Sequence, residues 1–129
     1  MTSKIANEFQ SIRELYEASP NKDTFNAIIY GYMGTGKTTV IGTARKPVLI
    51  HSFDPGGEKV LVDHINEGQV MVNNSFQEED AKKPTAYRGW EREFDRLRKL
   101  DGFFSNIGTY AIDSVTTWSE ALMNSILKE

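Results

Sequence analysis

Phe25-Asn26-Ala27-Ile28-Ile29-Tyr30-Gly31-Tyr32-Met33-Gly34-Thr35-Gly36-Lys37-Thr38-Thr39-Val40 is the stretch whose reading decides the fold. Its opening run, residues 25–30, is apolar without alternation, as in a strand buried on both faces of a parallel sheet. Gly31 to Thr38 then fit GxxxxGK(S/T), a spacing with a mechanical reason for each fixed position. Gly31 ends the strand and allows a sharp turn. Gly34 and Gly36 permit backbone angles that residues with a Cβ resist, so successive N–H groups, those of Tyr32, Met33 and Thr35 among them, point inward at phosphate oxygens. Lys37 brings a mobile positive charge to the β- and γ-phosphates, Thr38 offers a hydroxyl to magnesium, and Thr39 reaches the α-phosphate. A helix over 37–44, ended before Pro47, aims its positive dipole end at the same place. The motif predicts binding of a nucleoside triphosphate with Mg2+.

Working outward, residues 48–53 read as a second buried strand, followed by the turn Asp54-Pro55-Gly56-Gly57. Residues 58–66 are expected as a helix and 69–72 as a short strand. The polar stretch 73–85, which contains Pro84, is expected to be a mobile loop. A helix returns over 87–100 with Trp90, Phe94 and Leu97 on one face. Residues 110–112 are a third apolar strand, and a last helix over 116–127 has Val115, Trp118, Leu122 and Ile126 marking its inner face. On the other side of the motif, Ile5, Phe9, Ile12, Leu15 and Tyr16 give residues 3–18 the spacing of an amphipathic helix, ended by Ser19-Pro20-Asn21. The stripe is expected to be packing surface, with partner docking as the sharper alternative. Residues 1–22 thus form a helix and linker, and 23–129 a nucleotide-binding domain. Alternating strands and helices mean an α/β fold with a parallel sheet flanked by helices in three layers.

A phosphate loop needs an acid at the end of a neighbouring strand to hold the magnesium shell. Asp113 ends the third apolar strand, 75 residues after Thr38. The competing reading is an aspartate capping the next helix; Ser114 can take that task while Asp113 faces the metal. Guanine nucleotides fit poorly. A GTPase wants glycine three residues after this aspartate, where Thr116 stands, and Asn21-Lys22-Asp23 is upstream and one residue short of the guanine-reading motif. ATP is the better match.

With Gly31 to Thr38, Lys46-Pro47-Val48-Leu49-Ile50, Phe53-Asp54-Pro55-Gly56-Gly57 and the Tyr110 to Thr116 segment in view, the chain resembles the RecA-like branch of P-loop ATPases. More narrowly it resembles phage-encoded ATP-binding proteins associated with single-strand annealing and recombination. The resemblance spans about residues 25–127. It implies a RecA-like P-loop NTPase core, ATP hydrolysis, and work in DNA recombination, repair or replication. It also implies a single-stranded DNA partner, allows a homo-oligomer, and places a phage protein in the host cytoplasm. Two departures stand out. The family's water-polarising glutamate after the second strand is matched here by Pro55, so Asp54 or Glu58 must orient water if hydrolysis occurs. The family's core also continues for further strands beyond the Asp-Ser strand, so the chain reads as truncated after that strand and its helix, and as marginal without ATP.

The bulk properties agree with a globular domain: 129 residues, 39% hydrophobic and 26% charged. A net charge of -3 argues against a surface wholly given to nucleic acid. The absence of cysteine excludes disulfides and thiolate metal sites. No apolar run approaches the roughly 20 residues of a membrane span, and a cytoplasmic protein is expected. His51 and His64 lack a second ligand at metal spacing. Arg88, Arg92, Arg96 and Lys99 are interleaved with Glu91, Glu93 and Asp95, which reads as a solvated helix face. The alternatives to an ATPase are an ATP-dependent binding or assembly module with little turnover, and a small-molecule kinase. The kinase would need an arginine-rich lid, and residues 73–85 contain no arginine.

Overall fold

The computed structural model describes residues 2–20, 24–32 and 36–128. The chain divides into two compact units, Met1–Tyr30 and Gly31–Glu129. In the first, helix α1 (Ser3–Glu17) starts at Thr2, whose hydroxyl accepts from the Ile5 N–H at 3.4 Å. Helix α1 buries none of the apolar stripe expected to be packing surface, and Leu15 is 74% exposed. The expected strand over 25–30 is also absent. Residues 24–30 carry no strand, and Phe25 and Tyr30 are 89% and 91% exposed. An apolar run becomes a parallel strand only where a neighbour satisfies its backbone groups.

In the second unit, helix α2 (Lys37–Ile41) leads to strand β1 (Val48–Ser52). A 3-10 turn (Gly57–Leu61) and helix α3 (Val62–Asn66) connect it to strand β2 (Val70–Asn73). Helix α4 (Ala86–Lys99), a second 3-10 turn (Phe104–Asn106), strand β3 (Thr109–Asp113) and helix α5 (Val115–Leu127) complete it. The sheet is parallel, ordered β2-β1-β3, with Val48 opposite Val70 and Thr109, and Ser52 opposite Asp113. All five residues of β1 are buried, which is why the sequence here is continuously apolar apart from His51 and Ser52.

Period-two alternation splits the core between the two faces of the sheet. Val48, Ile50 and Val70 pack with Leu61, and Ile41, Ala44 and Ile65 close over them. On the other face Phe53, Phe76, Ala86 and Ala121 cluster with Tyr87, Trp90, Ile112 and Trp118. The fold is therefore α/β, a parallel sheet flanked by helices. The inner face of α5 runs through Trp118, Ala121 and Ser125, whereas Val115 and Ile126 are about half exposed, against the sequence expectation. Trp90 and Phe94 are packing, as expected: Trp90 meets Trp118 edge to face at 5.6 Å, and Phe94 meets Tyr110 at 5.5 Å. The charged face of α4 is laced by exposed pairs Arg88–Glu91, Arg96–Glu93, Arg98–Asp95 and Lys99–Asp95.

Gly108 is a point of close backbone approach. A Cβ there would lie 2.4 Å from the Lys46 carbonyl oxygen and 2.6 Å from that of Arg45, and its N–H donates to Pro47 O at 2.8 Å. Gly108→Ala is expected to destabilise the fold by about 2 kcal/mol or more, because backbone must move to admit the methyl group. Urea unfolding measures this; an unchanged midpoint would show that β3 does not start against residues 45–47.

Candidate functional site

Parallel strands gather their carboxyl ends at one edge of the sheet, and ligands of such folds bind in the crevice outside that edge. Here the edge carries Ser52, Asp54 and Asp113. The Phe53 N–H extends the ladder to Asp113 O at 2.7 Å, so Asp54 follows directly from the pairing of β1 with β3. The central contact joins this edge to α2: Thr38 Oγ1 donates to Asp113 Oδ2 at 2.9 Å, across 75 residues. Ser114 takes the capping task, its hydroxyl accepting from the Thr117 N–H at 3.4 Å. The Asp113–Ser114 peptide is cis.

Gly36 precedes α2 at φ 87°, a left-handed conformation suited to glycine, and no side chain caps the helix. The Lys37 ammonium donates to the Gly31 carbonyl, and at 3.5 Å to that of Tyr32, bridging the two ends of the loop. Tyr32 is 90% exposed and Thr39 is exposed. Met33, Gly34 and Thr35 lie outside the described residues, as do Asn21, Lys22 and Asp23.

The turn 54–58 closes the site from the other side. A Cβ on Gly57 would lie 3.7 Å from Asp113 Oδ2 and 3.8 Å from Asp54 Cβ. Asp54 Oδ1 accepts from the Thr117 hydroxyl at 2.7 Å. Glu58 Oε2 accepts from Gln77 Nε2 at 3.1 Å. Burial pushes the Asp113 carboxyl above the ordinary aspartate range; the Thr38 hydrogen bond opposes this, Asp54 adds to it, Lys37 opposes it and Glu58 adds to it. Lys37, Thr38, Asp54, Glu58 and Asp113 are thus one electrostatic neighbourhood. Among the described residues no group of three or more acidic or imidazole side chains is placed to hold a metal by itself. A hydroxyl and one carboxylate suit magnesium, which keeps several waters and takes its other oxygens from phosphates.

Sequence reasoning missed Thr117 and Gln77. Thr117 stands three residues after Ser114, and its hydroxyl serves both the Ser114 cap, at 3.0 Å, and Asp54. Gln77 belongs to the segment expected to be a mobile loop, yet that segment is tied down: Phe76 is buried against Phe53 and His51, and Glu79 accepts from the Thr85 and Ala86 N–H groups. The one available signal was Phe76, an aromatic in an otherwise polar stretch. His51 is a core residue: fully buried, it meets Tyr110 OH at 2.9 Å through Nδ1, its Nε2 has no partner, and burial pushes its pKa down against the opposing effect of Glu93. No protein-family model, curated protein or solved structure matches the chain.

The raised Asp113 pKa has a consequence for stability. Below the ordinary aspartate value of about 3.9, Asp113 is protonated in both states and costs nothing; as pH rises, the unfolded chain ionises first and folding becomes less favourable. Asp113→Asn retains an oxygen that accepts from Thr38 but removes the charge. Without nucleotide, the variant is expected to be at least as stable as the parent at pH 7, with the gain vanishing near pH 4. Urea titrations at the two pH values test this, and a variant much less stable at both would make Asp113 a structural residue.

Proposed function

We propose that the chain binds ATP with magnesium and hydrolyses it, as a P-loop NTPase of RecA-like type. The observation that carries this reading is the Thr38–Asp113 hydrogen bond, which brings the hydroxyl of the GxxxxGKT motif to the acid at the end of a parallel strand. Thr38 and Asp113 would hold a Mg2+ ion and its water shell together only if both stood on the same side of the sheet edge. The electrostatics agree: an acid whose charge is disfavoured by burial and by two neighbouring carboxylates gains from a divalent cation.

In this reading Gly31, Tyr32, Met33, Gly34, Thr35 and Gly36 form the phosphate cradle. Lys37 pairs with the β- and γ-phosphates, Thr38 and Asp113 organise magnesium, and Thr39 serves the α-phosphate. Asp54 or Glu58, the acids of the 54–58 turn, orients water. Action in DNA recombination, repair or replication, with single-stranded DNA as partner, is included on the strength of the family resemblance alone. A kinase reading gains nothing from the 74–85 segment, whose Lys82 and Lys83 are exposed while its Phe76 is buried.

Lys37→Ala removes a charge-assisted contact to phosphate and is expected to cost about 1.5–3 kcal/mol of ATP affinity, roughly 10- to 150-fold. Calorimetric titration measures it, and equal affinity in parent and variant would refute the phosphate-loop assignment. Turnover assayed with and without single-stranded DNA then separates a DNA-stimulated ATPase from a binding module that orders on ATP without hydrolysis.

A further inference from the structure

Gln77 lies in segment 74–85, which has neither helix nor strand, yet its amide nitrogen meets three acceptors at the end of β1 and in the acidic turn. It donates to Ser52 Oγ at 2.9 Å, to the Asp54 carbonyl at 3.0 Å and to Glu58 Oε2 at 3.1 Å. An amide nitrogen carries two hydrogens, so at least one is shared. Ser52 Oγ in turn donates to the Asp54 carbonyl at 3.3 Å, closing a small network at the end of β1. Gln77 is itself held on both sides. Phe76 is locked between His51 and Phe53, and Glu79 ties the start of α4 to Asn124 of α5, whose amide donates to Glu79 Oε2 at 3.3 Å.

The two acids of the turn are held differently. Asp54 is short and is fixed at 2.7 Å by Thr117, whose hydroxyl also bonds the Ser114 carbonyl, so Asp54 braces the first turn of α5. Glu58 has a longer, more flexible side chain, and the contact from Gln77 is its one hydrogen bond among the described residues. A flexible carboxylate orients a nucleophile well only when a neighbour restricts it.

Resting on the hydrolytic reading above, we propose that Glu58, rather than Asp54, orients the attacking water and that Gln77 is the positioning residue holding it. The water oxygen forms a bond to the γ-phosphorus as the bond to the β–γ bridging oxygen breaks, and ADP leaves with that electron pair. Glu58 takes the water's proton and releases it to solvent, and inorganic phosphate is the second product. Asp54 remains the brace of α5.

The test is a double-mutant cycle on the full chain, with Mg-ATP turnover and binding of a fluorescent ATP analogue measured for each protein. Gln77→Ala is expected to lower kcat about 10-fold or more, with KM changed by less than about twofold. Glu58→Ala is expected to lower kcat at least as far, and the double variant to match Glu58→Ala alone, because Gln77 acts only through that carboxylate. Gln77→Met, which preserves length and bulk but donates nothing, should behave as Gln77→Ala and serves if the alanine variant does not fold. Multiplying losses in the double variant, or a raised KM with kcat intact, overturns the proposal while the ATPase reading stands. A parent that binds Mg-ATP without turnover overturns the proposal and leaves the binding site. A parent that binds no nucleotide overturns the proposed function itself.

Discussion

Strand β1 takes a parallel partner on each edge and apolar cover on each face, and the rest of the second unit is arranged by that constraint. Its pairing with β2 and β3 sets the register that puts Ser52 opposite Asp113. Its alternation sends Val48 and Ile50 to the cluster closed by α2 and α3, while Phe53 reaches the aromatic cluster closed by α4 and α5. Burying a polar group in such a strand costs free energy unless it is hydrogen-bonded. Of the two polar residues within β1, His51 meets Tyr110 through Nδ1 while its Nε2 is left without a partner among the described residues, and Ser52 receives Gln77 and returns a hydrogen bond to the Asp54 carbonyl.

The polar chemistry lies just where the apolar strand ends. Asp113, Asp54 and Glu58 are brought together by the carboxyl ends of β1 and β3 and by the tight turn that follows β1. Each acid has a separate hydroxyl or amide holding it, from Thr38, Thr117 and Gln77 respectively. The carboxylates are thus fixed by neutral donors, and the nearby positive charge comes from Lys37, which stands at the mouth of the loop. That arrangement suits a cationic ligand delivered together with an anionic one, which is what a magnesium–nucleotide complex is.

The elements of the second unit were legible because each carries a strong local signal. The continuous apolar run at 48–53 and the spacing of Trp90, Phe94 and Leu97 each name an element without tertiary context. The Thr38–Asp113 partnership was legible from the chemistry of a hydroxyl-bearing phosphate loop and a strand-ending acid, although nothing in the sequence supplies their distance. What was not legible depends on partners. Residues 25–30 look like a buried strand from composition alone, and the stripe of α1 looks like a packing face, yet both are exposed because burial requires a second surface that composition does not encode. The inner face of α5 runs through Ala121 and Ser125, with Ala121 packed in the cluster of Phe53 and Phe76, a placement that depends on which neighbours the helix meets. Gln77 was invisible for the same reason, since a glutamine in a polar loop has no local pattern and its three acceptors are 19 to 25 residues away.

In the proposed function Thr38 and Asp113 share one metal ion with a bound nucleotide, and paramagnetic Mn2+ supplied with ATP in place of magnesium tests this most directly. In an amide-resolved NMR spectrum, Mn2+-ATP is predicted to broaden the signals of Thr38 and Asp113 away, those of Asp54 and Glu58 next, and to spare Val70 on the far strand. Broadening that requires no ATP and is spread over the acidic surface, or that leaves Thr38 and Asp113 sharp, would contradict it.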